Sequence, residues 1–282
     1  MKKINSAAAH ERRREKIAIL IMVLISIPIL FIYLVFFSNA FISASGGFTL
    51  ANFRFLTSEI RLSQYTVPRM GPAFRNSVIF TAVVTVAEVF ISCLAGYALA
   101  RMEFRGRRLI TYSLLALRLF PGILLLIGVL YVLLTIRIVN SLPGVILVAI
   151  ALRLPGSTFI IRNFFIDIPA DIENSALVDG CNRFTAFFQV ILHMVKPGLA
   201  SIGLFSFMSA WGNYLLFNTL IFNARTPVMA TYIRVLSRND QMIADYGVFT
   251  AMSLVYMLPV LVFFFISQKQ LMKSNIGGGK GI

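Results

Sequence analysis

The sequence predicts an all-α polytopic membrane protein with six transmembrane helices and a helical cytoplasmic loop, and three observations predict it. The chain is 58% hydrophobic with a mean hydropathy of +0.83, and only 13% of it is charged. Such a composition lies outside the range of soluble globular domains. Several apolar runs reach the roughly 20 residues that a helix needs to cross a bilayer, and a bilayer forces such runs to be helices because lipid offers backbone groups no hydrogen bonds. The net charge of +15 is not spread along the chain but concentrated at the ends of these runs. In a soluble protein it would suggest nucleic acid; here it reads as topology.

Six spans fit, at about 17–38, 77–100, 109–135, 140–162, 198–222 and 246–268. A basic N-terminal stretch, 1–16, precedes the first, and a tail, 269–282, follows the last. Lys2, Lys3, Arg12, Arg13, Arg14 and Lys16 flank the first span, while Arg101, Arg105, Arg107 and Arg108 follow the second. Lys269, Lys273 and Lys280 follow the sixth. By the positive-inside rule these ends, and both termini, are cytoplasmic. The first span has the basic flank of a signal peptide but exceeds the usual apolar length, so it reads as uncleaved. Segment 39–76 is then an external loop, with a turn at Ser45-Gly46-Gly47 and Phe48, Phe53 and Phe55 to pack it. The link 136–139 makes spans three and four a hairpin, and 223–245 is a second external loop. Pro28, Pro121, Pro155 and Pro259 fall within spans and can kink them.

Polar residues inside the spans are candidates for a solute path. Ser77, Thr81, Thr85, Glu88 and Ser92 share one face of span two. A carboxylate in mid-bilayer costs about 3 kcal/mol unless it faces protein or water, so Glu88 either lines a pathway or fixes packing. Arg118 and Arg153, each shortly before a Pro-Gly, are its possible ion-pair partners, and snorkelling is the alternative for either. Ser206, Ser209 and Asn213 in span five, with Thr250 and Ser253 in span six, would suit a hydroxyl-rich solute or ordinary helix contacts.

The cytoplasmic loop 163–197 is amphipathic and carries Asp167, Asp171, Glu173 and Asp179. Its pattern is helix, glycine, helix, with Gly180 supplying the turn. An apolar stripe, Phe184, Phe187, Phe188 and Ile191, runs along the second helix. Such a unit fits a groove on a soluble partner.

Chemistry of other kinds lacks its residues. Cys93 and Cys181 lie in a span and in the loop, so no disulfide is expected. Two distant histidines, His10 and His193, give no metal site, and no catalytic constellation or phosphate-binding loop is present, so no enzyme activity and no cofactor are expected in this chain. A stand-alone secondary transporter or channel is the competing class, which internal repeats or a charged midplane relay would mark.

The loop residues Asn174-Ser175-Ala176-Leu177-Val178-Asp179-Gly180, followed by Lys196-Pro197-Gly198, resemble the permease subunits of binding-protein-dependent ABC importers of the maltose-type carbohydrate family. That family's loop reads Glu-Ala-Ala, three residues, Gly, then Leu-Pro and a further Pro. Ala176, Asp179, Gly180 and Pro197 match, while Asn174 and His193 stand where Glu and the first Pro are expected; Glu173 is adjacent. Asn76-Ser77, Ala98-Leu99-Ala100-Arg101, Phe120-Pro121-Gly122, Ile168-Pro169 and Trp211-Gly212-Asn213 extend the resemblance from about residue 76 onward.

The resemblance implies a core over 77–268 that forms half a translocation pathway with a second, different permease. It implies a cytoplasmic ATPase dimer carrying ATP and Mg, and an extracytoplasmic binding protein that delivers a carbohydrate. It assigns Glu173, Asn174, Ala176, Asp179, Gly180, Arg183 and Pro197 to ATPase coupling, and Gly278, Gly279 and Lys280 in the tail to a further ATPase contact. Arg225, Arg234 and Arg238 become candidate contacts for the binding protein. A neutral sugar is the first expectation, and an acidic sugar or glycerol phosphate the second.

Overall fold

The structure, a computed structural model, describes residues 2–43, 46–62, 65–222, 226–237 and 246–277. In chain order they form α1 (Lys2–Phe41), a short 3-10 turn (Ala51–Leu56), β1 (Ile60–Leu62), β2 (Tyr65–Val67), α2 (Gly71–Arg101), α3 (Arg107–Leu119), α4 (Gly122–Thr135) and α5 (Leu142–Ile166). There follow α6 (Ala170–Val178), α7 (Arg183–Ala186), a π turn (Phe187–Ile191), α8 (Leu192–Met194), α9 (Lys196–Trp211), α10 (Tyr214–Leu220), α11 (Met229–Ser237) and α12 (Tyr246–Gly277). Four helices are long and apolar enough to cross a membrane, and six spans result if each of two bent helix pairs counts as one. The two short strands pair as an antiparallel hairpin outside these spans.

Two compact units divide the chain, one from residues 1–68 with 236–255 and one from 69–235 with 256–282. In the first, α1 presents the apolar side chains of Ile17–Leu34 outward, as a helix wrapped by lipid does. Its end is tied by Asn52, whose amide donates to the carbonyls of Ala40 and Ile42, both at 3.0 Å. These would otherwise be unpaired helix-end acceptors. Gly247 lies so close to the Asn52 side chain that a Cβ there would meet it at 2.5 Å, so no larger residue fits. Phe41 stacks on Phe48 and Phe53, and Phe55 is fully buried, whereas Phe48 stays exposed. The loop predicted over 39–76 is shorter than expected, because α2 already begins at Gly71 with Pro72 in its first turn.

The second unit is organised around α2, α5 and α9, which pack against one another. Small residues allow the close approach: a Cβ at Gly96 would run into Ile161, and one at Gly198 into the ring of Phe164 at 2.6 Å. One apolar cluster, including Phe80, Val84, Val148 and Phe217, fills one part of this unit. A second, including Tyr97, Phe165, Phe187 and Ile202, joins the loop helices to α2, α5 and α9.

Two predicted spans are not single rods. Span 109–135 is α3 and α4, bent by 105° at Phe120-Pro121. Pro121 has no N–H to continue the helix and pushes Phe120 into an extended conformation. Span 198–222 ends early as α9, and Asn213 caps a separate α10 by accepting from the Leu216 amide at 3.2 Å. The link between α4 and α5 turns through Arg137 and Asn140 at positive φ, and Asn140 accepts from the Phe222 amide at 2.6 Å.

Candidate functional site

The loop 163–197 closes α6 with a backbone motif that its sequence dictates. Gly180 takes φ +91°, which residues with a Cβ rarely adopt. Its amide donates to the carbonyl of Leu177 at 3.2 Å, and the Cys181 amide donates to that of Ala176 at 3.0 Å. This pair of bonds is the Schellman closure, with Asp179 as the last half-helical residue. Asn182 then starts α7 by accepting from the Thr185 amide at 2.7 Å. Asn174, Asp179, Gly180 and Arg183 are exposed on this unit, and Pro197 is half-buried at the start of α9.

The apolar stripe divides. Phe187 and Ile191 are buried, while Phe184 is 73% exposed. Phe188 is 38% exposed and its ring lies 4.6 Å from that of Phe184, so the stripe splits into a buried pair and an exposed pair, with a π turn over Phe187–Ile191. Val178, across the Gly180 turn, is 86% exposed. The exposed face therefore combines an apolar pair with Asp179 and Arg183, and no signal in the sequence separates Phe184 from its neighbours.

Glu173, which the resemblance assigned to ATPase coupling, does not belong to that exposed face. It is buried, accepts a hydrogen bond from the Tyr97 hydroxyl at 2.7 Å and faces Arg101 Nε at 3.5 Å. The latter is an ion pair without hydrogen-bond geometry. Arg101 also donates to the Ile168 carbonyl at 2.5 Å. Ala176 is buried too. Glu173, Tyr97 and Arg101 thus bind α6 to the C-terminal end of α2, and the Tyr97 ring lies 4.6 Å from that of Phe187.

A second polar node lies halfway along the spans. Glu88 has no exposed surface. It accepts from Arg153 Nε at 2.7 Å, from the Ser206 hydroxyl at 2.6 Å and from the Ser157 hydroxyl. Arg153 also donates to the Phe205 carbonyl at 3.1 Å. Of the two arginines open as partners, Arg153 is the one paired; Arg118 lies over the Phe159 ring at 5.8 Å.

Glu88 and Ser206 therefore tie α2, α5 and α9 together, the packing role that the sequence left open beside a solute path. Thr250 and Ser253 return their hydroxyls to carbonyls of their own helix, and Asn213 is the α10 cap. The physical reason is common to all: without water, a polar group in a span is satisfied by the nearest protein acceptor or donor. Ser209 is half-buried in α9. Arg225, Arg238, Gly278, Gly279 and Lys280 lie outside the described residues, and Arg234 belongs to α11 by its backbone.

Beside the Glu88 node is a cavity of about 390 Å³, lined in part by Arg118, Phe120, Gly122, Arg153, Ser157 and Phe205. It occupies the corner where α3 breaks into α4. Leu124 and Leu125 donate to the Pro121 carbonyl, which leaves the first amides of α4 open, as at any helix start.

Residues 88–273 match the family described as binding-protein-dependent transport system inner membrane component. The chain belongs to that family. Among its relatives, the diacetylchitobiose uptake system permease protein NgcG of Streptomyces coelicolor is 32% identical over 271 residues, covering 94% of this chain and 89% of its own. The sulfoquinovosyl glycerol transport system permease protein SmoH of Agrobacterium fabrum is 31% identical over 204 residues, 72% of this chain and 71% of its own. A solved bacterial ABC transporter involved in the import of the acidic polysaccharide alginate shares the fold, with a TM-score of 0.70 and 18% identity over 88% of this chain and 96% of that one. For this member of the inner-membrane-component family, the loop and the Glu88 node lie within the matched region, as do α2 from Glu88 onward and the broken α3–α4 span.

Proposed function

We propose that this chain is the transmembrane permease subunit of an ATP-driven carbohydrate importer. It pairs with a second, different permease to enclose the pathway, and an extracytoplasmic binding protein delivers the sugar. Hydrolysis belongs to a separate cytoplasmic ATPase dimer, and both termini of this chain are cytoplasmic, following the distribution of its basic residues. The carbohydrate reading rests on relatives named for diacetylchitobiose and sulfoquinovosyl glycerol transport.

The observation that carries the mechanism is the α6 turn. It presents Val178, Asp179, Gly180, Arg183 and Phe184 outward while Glu173, one turn earlier, is bonded to α2. In this reading the outward face sits in a groove of the ATPase. Closure of the ATPase dimer moves α6, and the Glu173–Tyr97–Arg101 contacts pass that movement to α2 and its partners α5 and α9.

The test is Gly180→Arg, compared with Gly180→Asn. Asn tolerates positive φ and adds little bulk, so it keeps the turn; Arg adds a long charged side chain at the seat. Sugar uptake is expected to be abolished by Arg and retained with Asn, with both variants present in the membrane. Uptake that survives Gly180→Arg while the ATPase still co-purifies would show that the loop does not couple.

A further inference from the structure

We infer that the cavity beside the α3–α4 break receives an anionic group of the transported solute, so that the solute is an acidic sugar. The inference rests on the importer reading above and selects within it. Arg153 lies near the centre of the 25-residue α5, and Glu88 near the centre of the 31-residue α2, so the cavity is at mid-depth of the membrane. It holds two guanidinium groups, and the one carboxylate behind them, Glu88, is already engaged by Arg153, Ser157 and Ser206.

Arg118 is left as an unneutralised cation. It is exposed on this unit, and among the described residues no carboxylate lies within 4 Å of it. A charge in a span is costly against lipid, and such residues face protein or a water-filled cavity and mark solute paths. The irregular backbone at Phe120-Pro121 points the same way, since broken helices at membrane depth are tolerated where they line protein or water. The open start of α4 at Gly122 adds positive potential on the same side.

The volume, about 390 Å³, lies within the range of small-ligand sites. Phe120 and Phe205 supply apolar walls, Ser157 a hydroxyl, and Arg118 the charge that a carboxylate, sulfonate or phosphate ester would meet. A neutral sugar would leave Arg118 without a counter-charge in a low-dielectric setting, which is unfavourable for binding. Arg118 is thereby a specificity-determining residue, and Arg153, held by Glu88, is a fixed second donor at the wall.

The experiment uses the complete transporter in proteoliposomes with a thiol at Gly122, where a Cβ meets nothing within 4 Å. Labelling of Gly122→Cys is followed by mass on this chain with an anionic sulfonatoethyl and a cationic trimethylammonium-ethyl methanethiosulfonate, with the parent chain subtracted. The expected result is a rate ratio about tenfold in favour of the anionic reagent relative to free cysteine, the lower end of what a charged cleft produces. Arg118→Gln should abolish that ratio, Arg118→Lys should keep most of it, and glucuronate but not glucose should slow the labelling. Failure of both reagents to react, a ratio indifferent to Arg118→Gln, or equal protection by glucose would each overturn the inference.

A carboxylate from the second permease, or a lipid-facing Arg118, would register as a missing ratio. Uptake of neutral sugars only, unchanged by Arg118→Gln, sinks the acidic-sugar inference and leaves the importer standing. Absence of uptake for every sugar sinks the importer reading, while a labelling ratio that persists still upholds the anion site.

Discussion

Two glutamates, each beside an arginine, hold this chain together in different ways. Glu88, at mid-membrane, takes hydrogen bonds from three side chains on two other helices and is wholly enclosed. Glu173, in α6 of the loop, takes one from Tyr97 and meets Arg101 at 3.5 Å without hydrogen-bond geometry. The difference follows from the solvent each can reach. A carboxylate surrounded by hydrocarbon must be saturated by protein, whereas one near the aqueous edge tolerates a looser pair. The saturated node makes α2, α5 and α9 one block. The looser node joins that block to the loop, and in the coupling proposed above a joint that transmits movement has to allow some.

Breaking the saturated node should have the largest effect. Glu88→Ala leaves the Arg153 guanidinium without its counter-charge, and losing one partner of a buried pair costs about 3–5 kcal/mol. The expected outcome is loss of folded protein from the membrane fraction and a strongly lowered melting temperature in detergent. Replacing both partners, as Glu88→Met with Arg153→Met, should recover most of that stability, since apolar pairs of similar volume often equal a buried ion pair. A double variant as unstable as the single one would mean that Ser157 and Ser206, and not the ion pair, carry the node.

The looser node predicts the opposite division of effects. Glu173→Gln keeps the shape and the acceptor for Tyr97 but removes the charge facing Arg101. Its cost in stability should be smaller than that of Glu88→Ala, because the acceptor for Tyr97 is kept and the Arg101 contact at 3.5 Å lacks hydrogen-bond geometry. Its cost in function should be larger: more ATP hydrolysed per solute moved, because α6 is held to α2 less firmly once the charge facing Arg101 is gone. Measuring the ratio of ATP hydrolysis to uptake alongside the melting temperature separates the two. An unchanged ratio with a lowered melting temperature would make Glu173 a stability residue only.

Much of this arrangement is legible in the sequence, and what is not has identifiable causes. The apolar runs appear plainly because a bilayer demands about 20 of them in a row, and the Asp179-Gly180 turn appears because only a few residues take positive φ. The choice of Arg153 over Arg118 is not legible, since both precede a Pro-Gly and only the packing of α5 on α2 decides which reaches Glu88. The inward aim of Glu173 depends on Tyr97, 76 positions away. The π turn over Phe187–Ile191 has no mark in the 3.6-residue pattern of the sequence, and neither has the split of the stripe into buried Phe187 and Ile191 and exposed Phe184 and Phe188. Asn52, which ties the end of α1 and fits against Gly247, carries no local signal at all.

The smallest predicted effect tests whether the polar face of α2 is uniform. Thr81 and Thr85 lie on the same face as Glu88 and are buried, yet their hydroxyls have no hydrogen-bond partner. Ser206, also buried, donates to Glu88. Removing an unpaired buried hydroxyl by an isosteric methyl is neutral or favourable, whereas removing one that pairs leaves its acceptor short. Thr85→Val should therefore change the melting temperature little or raise it, and Ser206→Ala should lower it by the equivalent of about 1–3 kcal/mol. If Thr85→Val proves as harmful as Ser206→Ala, a buried water bridges Thr85 into the Glu88 network, and the node reaches further along α2 than its direct contacts show.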